Sequence, residues 1–421
     1  MKIIHEQVQA LRGLTLHTIE TKKFKTNTFI LRLKQKISED IVTFRSILPY
    51  VLQNSAKKEI RKKLDELYGA TLNISIDKKG EFHIITLRIE AVNEKYLPTK
   101  TQLIEHVLNL IFYIVMNPWR NQDSFNEDVI QKEKQVLKQR ILSVYDNKIR
   151  FANKRLIEEM CKEEPYRIHA YGNMIQIDQV TSSSLYDYYH QAILEDQIDL
   201  YIVGDVNHEK NVEIVDKLLQ YEIRNNVVKL DFESKQKEVK QVNYVTDEQE
   251  VEQGKLHLGY RTYTNYGNSD YYALQVFNGM FGGFPHSKLL TNIREKESLA
   301  YYISSRYESH KELLFLMAGI EIQNYEKTLH IINKQLESLK RGDFSKTDFQ
   351  RTKTLIKSQL LGILDDPKGI VEMFYRNVVN DCQKTMEDWL LGIDNVSESD
   401  VIKMAHKIKL DTVYFLKGRN K

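Results

Sequence analysis

The chain has 421 residues, 42% hydrophobic and 28% charged, with 61 Lys and Arg against 58 Asp and Glu for a net charge of +3. That is too long for one ordinary hydrophobic core, so two or more domains are expected. Near-balanced, interspersed charge argues against nucleic acid as a partner, and two cysteines, Cys161 and Cys382, exclude a disulfide scaffold or a multi-cysteine zinc site and are expected as buried free thiols.

In chain order, Met1-Lys-Ile-Ile-His-Glu-Gln7 has no apolar export segment, and no run approaches the roughly 20 apolar residues of a membrane span. The cytoplasm is the expected compartment, with no membrane partner. A strand is predicted over Thr26 to Leu33, followed by a helix containing Ser46-Ile-Leu-Pro49-Tyr50. The cations Lys57, Lys58, Arg61, Lys62 and Lys63 alternate with acidic and apolar residues, the pattern of a solvated helix face. Lys63 to Ala70 reads as a helix end leading into alternating strands, Leu72 to Asp77 and Phe82 to Ala91. An amphipathic helix follows over Thr101 to Val115, then a loop over Asn117 to Asn126 and a long helix through Val136 that ends at Asp146-Asn-Lys148. The first half closes with a helix, Ser184 to Ile193, and a strand, Gln197 to Val203, before His208 or Glu209 opens another helix.

The second half repeats this order. Arg294 to Tyr301 leads into strands Tyr302 to Glu308 and Leu313 to Ile322, where Ile320-Glu-Ile322 matches Ile89-Glu-Ala91. Helices follow at Lys327 to Leu339 and Ile356 to Asp366-Pro-Lys368, then a helix at Asp400 to Ile408 and a strand at Thr412 to Leu416. Two homologous α+β domains are expected, each a mixed, mostly antiparallel sheet with helices packed on one face. The first spans 1–224 and the second 242–421, joined by the polar linker 225–241.

Recognisable catalysts are scarce. None of the twelve histidines has another three, four or five residues away. His106 beside Glu105 reads as a polar helix position, His286 after Pro285 as a loop residue, and His169 as a holder of its own turn. There is no GxSxG nucleophile turn, and Gly282-Gly283 is too short for a phosphate cradle. What stands out instead is Phe281-Gly-Gly-Phe-Pro-His-Ser-Lys-Leu-Leu-Thr-Asn-Ile-Arg294-Glu-Lys-Glu-Ser-Leu-Ala-Tyr301. A guanidinium offers fixed charged donors and a phenol one more, and neither activates water alone.

This stretch resembles the second-domain signature of the pitrilysin, insulysin and mitochondrial processing peptidase family, the inverzincins. Val203-Gly-Asp-Val206 and Tyr166-Arg-Ile-His-Ala-Tyr-Gly172 resemble two further family elements, so the likeness runs from about Leu14 to the C-terminus. The resemblance implies that Arg294 and Tyr301 hold substrate and the developing oxyanion, with Gly282 and Gly283 in a loop that a peptide backbone approaches closely. It also implies a zinc site on an HxxEH helix plus a distal glutamate, and here the sequence departs from the family. Ser46 and Tyr50 stand where the histidines belong, Pro49 where the general base belongs, and Arg140 at the distal position. No catalytic residue and no metal are expected in this chain alone.

Family members often pair, one subunit bearing the zinc helix and the other the Arg/Tyr pair, so an HxxEH-containing homologous subunit and a peptide or protein substrate are the implied partners. A homodimer in that subunit's absence stays open. The wording most resembles bacterial homologues without HxxEH that are linked to the 5-aminopentanol modification of elongation factor P. Three alternatives remain at this point: a peptide-binding or scaffolding protein with no part in hydrolysis, a self-sufficient enzyme with a site outside the family's pattern, and a structural role in which Arg294 pairs with an internal carboxylate and Tyr301 fills core.

Overall fold

A computed structural model describes residues 4–98, 102–116, 118, 120, 123–219, 226–231 and 237–419. Of the expected linker, Asn225 and 232–236 lie outside this set, as do 117, 119, 121 and 122 of the expected first-half loop and Thr101 of the helix before it. The strands are β1 Gln7–Ala10, β2 Thr15–Glu20, β3 Thr26–Lys36, β4 Thr71–Lys79, β5 Phe82–Val92, β6 Gln197–Gly204, β7 Asn243–Gln249, β8 Gly254–Arg261, β9 Ala300–Glu308, β10 Leu313–Ile320 and β11 Lys409–Gly418. The first-half helices are α1 Glu39–Ser55, α2 Lys57–Glu66, α3 Leu103–Met116, α4 Glu127–Asp146, α5 Lys148–Met160, α6 Met174–Gln179, α7 Ser182–Glu195 and α8 His208–Leu219. The second-half helices are α9 Tyr271–Asn278, α10 Tyr325–Lys340, α11 Lys346–Ile363, α12 Pro367–Asn380, α13 Met386–Asn395 and α14 Glu398–Lys407. The expected strands and helices are present with shifted ends: the strand from Leu313 stops at Ile320 rather than Ile322, and the helix expected over Ile356 to Asp366 runs Lys346–Ile363.

The chain forms two compact units. One comprises Met1–Leu142, Ile168–Asp231 and Asp366–Tyr375; the other comprises Ser143–Arg167, Phe232–Asp365 and Arg376–Lys421. The first unit's sheet runs β1-β2-β6-β3-β5-β4, antiparallel except for β2 beside β6. Alternation puts Phe29, Leu31 and Leu33 of β3 and Leu200 and Ile202 of β6 in one core with α1, α3 and α7. The opposite face carries Arg32 and Tyr201, and the first half of α12 covers it: Tyr375 lies 4.1 Å below the Arg32 guanidinium, and Glu372 pairs with Arg32 and with Lys79 at 2.7 Å.

The second unit's sheet runs β7-β11-β8-β10-β9, with only β7 and β11 parallel. Leu256, Leu258 and Tyr260 of β8 face a core built with α9, α10 and α14. The other face is packed by α5, whose Phe151, Leu156 and Met160 meet Phe315, Tyr414 and Leu416. A Cβ at Gly259 would sit 2.5 Å from Met160 Sδ, so a larger residue at this strand position would have to displace the Met160 side chain.

Duplication is visible in side-chain detail. Lys134 Nζ donates to Asp178 O and Val180 O at 3.2 and 2.7 Å, while Lys138 pairs with Asp178 at 2.6 Å. In the second unit Lys353 donates to Asp394 O and Val396 O at 2.8 and 2.9 Å, and Lys357 pairs with Asp394 at 2.6 Å. Capping boxes follow in both, Thr181 with Ser184 and Ser397 with Asp400.

Candidate functional site

Helices α1 and α4 bring two of the expected metal positions, Tyr50 and Arg140, together. Ser46 is buried, its Oγ 2.7 Å from Val42 O and 2.8 Å from Ala170 O, so its single proton and its position are both committed. Pro49 sits inside α1 and offers no proton acceptor. The Arg140 guanidinium stacks 3.8 Å from the centre of the Tyr50 ring, a cation–π contact. Burial raises the Tyr50 phenol above its ordinary range despite the opposing charge of Arg140, so no phenolate is on offer. Zinc needs lone-pair donors; a hydroxyl already hydrogen-bonded, a neutral phenol and a cation do not fit it. Among the described residues no three His, Cys, Asp or Glu side chains gather in a metal-binding group.

The same helix is anchored from below. Arg45 is fully buried, with Nη1 donating to Asp196 Oδ2 at 2.6 Å and to Tyr188 Oη at 3.1 Å, and Nη2 donating to the carbonyls of Leu33 and His83. Burial and the Arg45 charge push His83 down to about 3, so it is neutral, and its ring stands 2.9 Å from Ala170 O. His169 Nδ1 accepts the Tyr171 amide at 3.1 Å and so holds its turn, as expected.

The Arg/Tyr segment is built differently from an ordinary helix-to-strand junction. Two stretches of π-helical winding, Gly279–Gly283 and Leu290–Lys296, flank it; such winding is rare and concentrates at functional sites. Arg294 lies in the second and is exposed. The chain then reverses through Ser298, left-handed at φ 52°, and the Leu299 amide donates to Ile293 O at 2.9 Å. In the β9–β10 ladder Gly319 pairs with Tyr302 but Ile320 pairs with Ala300, which leaves Tyr301 as the extra residue of a bulge. A bulge re-aims a side chain, and Tyr301 is 57% exposed. Neither Arg294 nor Tyr301 has a hydrogen-bond or ion-pair partner among the described residues. Among the described residues, then, no carboxylate pairs with Arg294, and Tyr301 does not lie in the core.

Gly282 and Gly283 are required by the chain's own packing. A Cβ at Gly282 would meet Ser305 Oγ at 2.7 Å and Leu289 Cδ1 at 2.8 Å, and one at Gly283 would meet Asn278 Nδ2 at 2.7 Å. Their smallness seats the first π-helical segment on β9, where Ser305 Oγ donates to Asn278 Oδ1 at 2.8 Å. His286 Nε2 lies 2.8 Å from Thr352 Oγ1, in keeping with a loop residue. Ser298 and the bulge escaped the sequence reading; the only trace of either is a polar residue at a tight reversal.

Residues 179–356 match the family model described as Peptidase M16 inactive domain. The chain is 44% identical over 424 residues to the probable inactive metalloprotease YmfF of Bacillus subtilis, covering 99% of each. Among solved structures it resembles a conserved protein from Enterococcus faecalis, with a TM-score of 0.90, 30% identity and 100% of both chains covered. A protease from Helicobacter pylori aligns with a TM-score of 0.80 at 18% identity, over 99% of this chain and 100% of that one, which speaks to fold alone.

Proposed function

The chain belongs to the M16 peptidase family as an inactive homologue without the HxxEH motif, and from that premise we propose that it is the non-catalytic subunit of a heterodimeric zinc-peptidase-like complex. Its partner is a homologous subunit bearing HxxEH and the zinc; its substrate is a peptide or protein. The observation that carries this reading is the presentation of Arg294 and Tyr301: exposed, without a partner among the described residues, and held by a left-handed turn and a bulge, in a chain whose expected metal positions Tyr50 and Arg140 stack on each other. Donors arranged with nothing of their own to bind suit a substrate amide or oxyanion whose attacking water is activated elsewhere.

Reconstitution tests this. The chain alone is expected to cleave no peptide, and with an HxxEH-bearing homologue it should support cleavage that the homologue alone lacks. A partner equally active with and without this chain would instead favour peptide binding or scaffolding without a part in hydrolysis. We place the complex in the cytoplasm and in the 5-aminopentanol modification of elongation factor P, on the likeness to that branch of inactive homologues. Among the described residues no helix is long and apolar enough to cross a membrane. Elongation factor P from cells lacking the chain should then lose the modified mass; an unchanged mass would remove this assignment.

A further inference from the structure

The face of the second unit's sheet that packs α5 carries a group of polar residues the proposed function does not use. Strand register places Lys255 of β8 opposite Gly319 of β10, and Gly319 opposite Tyr302 of β9, in one cross-strand row. The next row joins His257, Met317 and Ser304, and the third joins Gly259, Phe315 and Arg306. Side chains two apart on a strand share a face, so Lys255, His257, Tyr302 and Arg306 lie on one surface, and Tyr302 directly follows the bulged Tyr301.

These groups want an anion. Lys255 is 9% exposed and sits 5.8 Å from the Tyr302 ring, with Gln253 as its hydrogen-bond acceptor. His257 is wholly buried with both ring nitrogens unpartnered, and the Tyr302 hydroxyl is likewise buried without a partner. Arg306 is exposed, and among the described residues its hydrogen-bond acceptor is Asn153 Oδ1, at 3.4 Å. Among the described residues no carboxylate pairs with Lys255, His257 or Tyr302: burial lowers Lys255 and raises Tyr302, and burial followed by the charges of Arg306 and Lys255 lowers His257 to about 3. Asp247, the acid that register brings nearest on this face, is committed to Arg155 and to the Tyr414 hydroxyl, both at 2.9 Å. A cation this buried without a counter-charge is costly.

We propose that Lys255, Tyr302 and Arg306 form a subsite for a carboxylate side chain of an extended peptide, adjoining the backbone-holding pair Arg294 and Tyr301. The inference rests on the peptide-binding reading above and gives the substrate a chemical class: acidic peptides. His257, neutral beneath the surface, offers an N–H to the same anion or to a water it holds.

The test is direct binding to the full chain of a short peptide carrying one Glu, of its Gln counterpart, and of inorganic phosphate. The Glu peptide should bind on the order of tenfold more tightly than the Gln peptide, the worth of one charge-assisted hydrogen bond. That preference should weaken with salt and vanish when Lys255→Gln and Arg306→Gln are combined. Equal binding of the two peptides to the unaltered chain would overturn the proposal without recourse to any variant. So would phosphate binding as tightly as the Glu peptide, which would mark a site for free anions. Because this measurement needs no partner subunit, a Glu preference surviving alongside an inert Arg294 would sink the trans-acting role and leave the subsite standing; the reverse result sinks only the subsite.

Discussion

At the scale of single residues, Tyr50 and Arg140, two of the expected metal positions, form a cation–π brace between α1 and α4. Arg140→Ala should lower stability by about 1 kcal/mol, read by chemical denaturation, and much less in a Tyr50→Leu background; equal losses in both backgrounds would show that the stack contributes nothing. His17 makes a pH prediction. Burial alone would lower its pKa, but Asp199 at 3.2 Å and Glu6 at 2.9 Å outweigh that and hold it at about 9 against an ordinary 6.5. The stabilisation is therefore complete below pH 6.5 and lost as pH rises through about 9. Unfolding free energy should fall across that window, and His17→Gln should flatten this part of the profile; an unaltered slope in the variant would contradict the assignment. The absence of HxxEH was legible because that motif is a contiguous pattern. The contact of Tyr50 with Arg140 was not, since it depends on how α1 meets α4.

At the scale of elements, the Arg294–Tyr301 turn depends on a conformation that L-residues avoid. Ser298 holds φ 52°, so Ser298→Gly should stabilise slightly, whereas Ser298→Val should cost on the order of 1 kcal/mol. Thermal denaturation of the two variants checks this; a neutral valine would show that the turn relaxes. The paired lysines offer a second test. Lys134→Met and Lys353→Met each strand two carbonyls at a helix end, and each should lose roughly 1–3 kcal/mol. Strands β4, β5, β9 and β10 and the amphipathic helices were readable from their periodicities, and so was their duplicated order. The π-helical winding and the bulge were not, because both arise from one extra residue accommodated against a neighbouring strand. The polar face around Lys255 was hidden for a related reason: alternation marks which residues share a face, not whether their charges find partners.

For the whole molecule, the sequence repeat suggested a plain division on either side of 225–241, yet each compact unit contains a segment from the other half. Asp366–Tyr375 supplies Glu372 and Tyr375 to the first sheet, and Ser143–Arg167 supplies Phe151, Leu156 and Met160 to the second. Such an exchange leaves no mark in local pattern, and neither α5 nor α12 was among the helices expected from the sequence. Fragments ending or starting at the linker should therefore each lack a piece of their own unit and fail to unfold cooperatively alone. A cooperative transition in either fragment would contradict this.

In the proposed complex, Arg294 and Tyr301 are donors lent to a reaction whose metal lies in another chain. Turnover of the reconstituted complex at saturating substrate, with Arg294→Ala in this subunit, tests it most directly. The expected result is a fall in kcat of roughly 10²–10³-fold with unchanged affinity between the subunits. An unaltered kcat in a complex of unaltered affinity would contradict it.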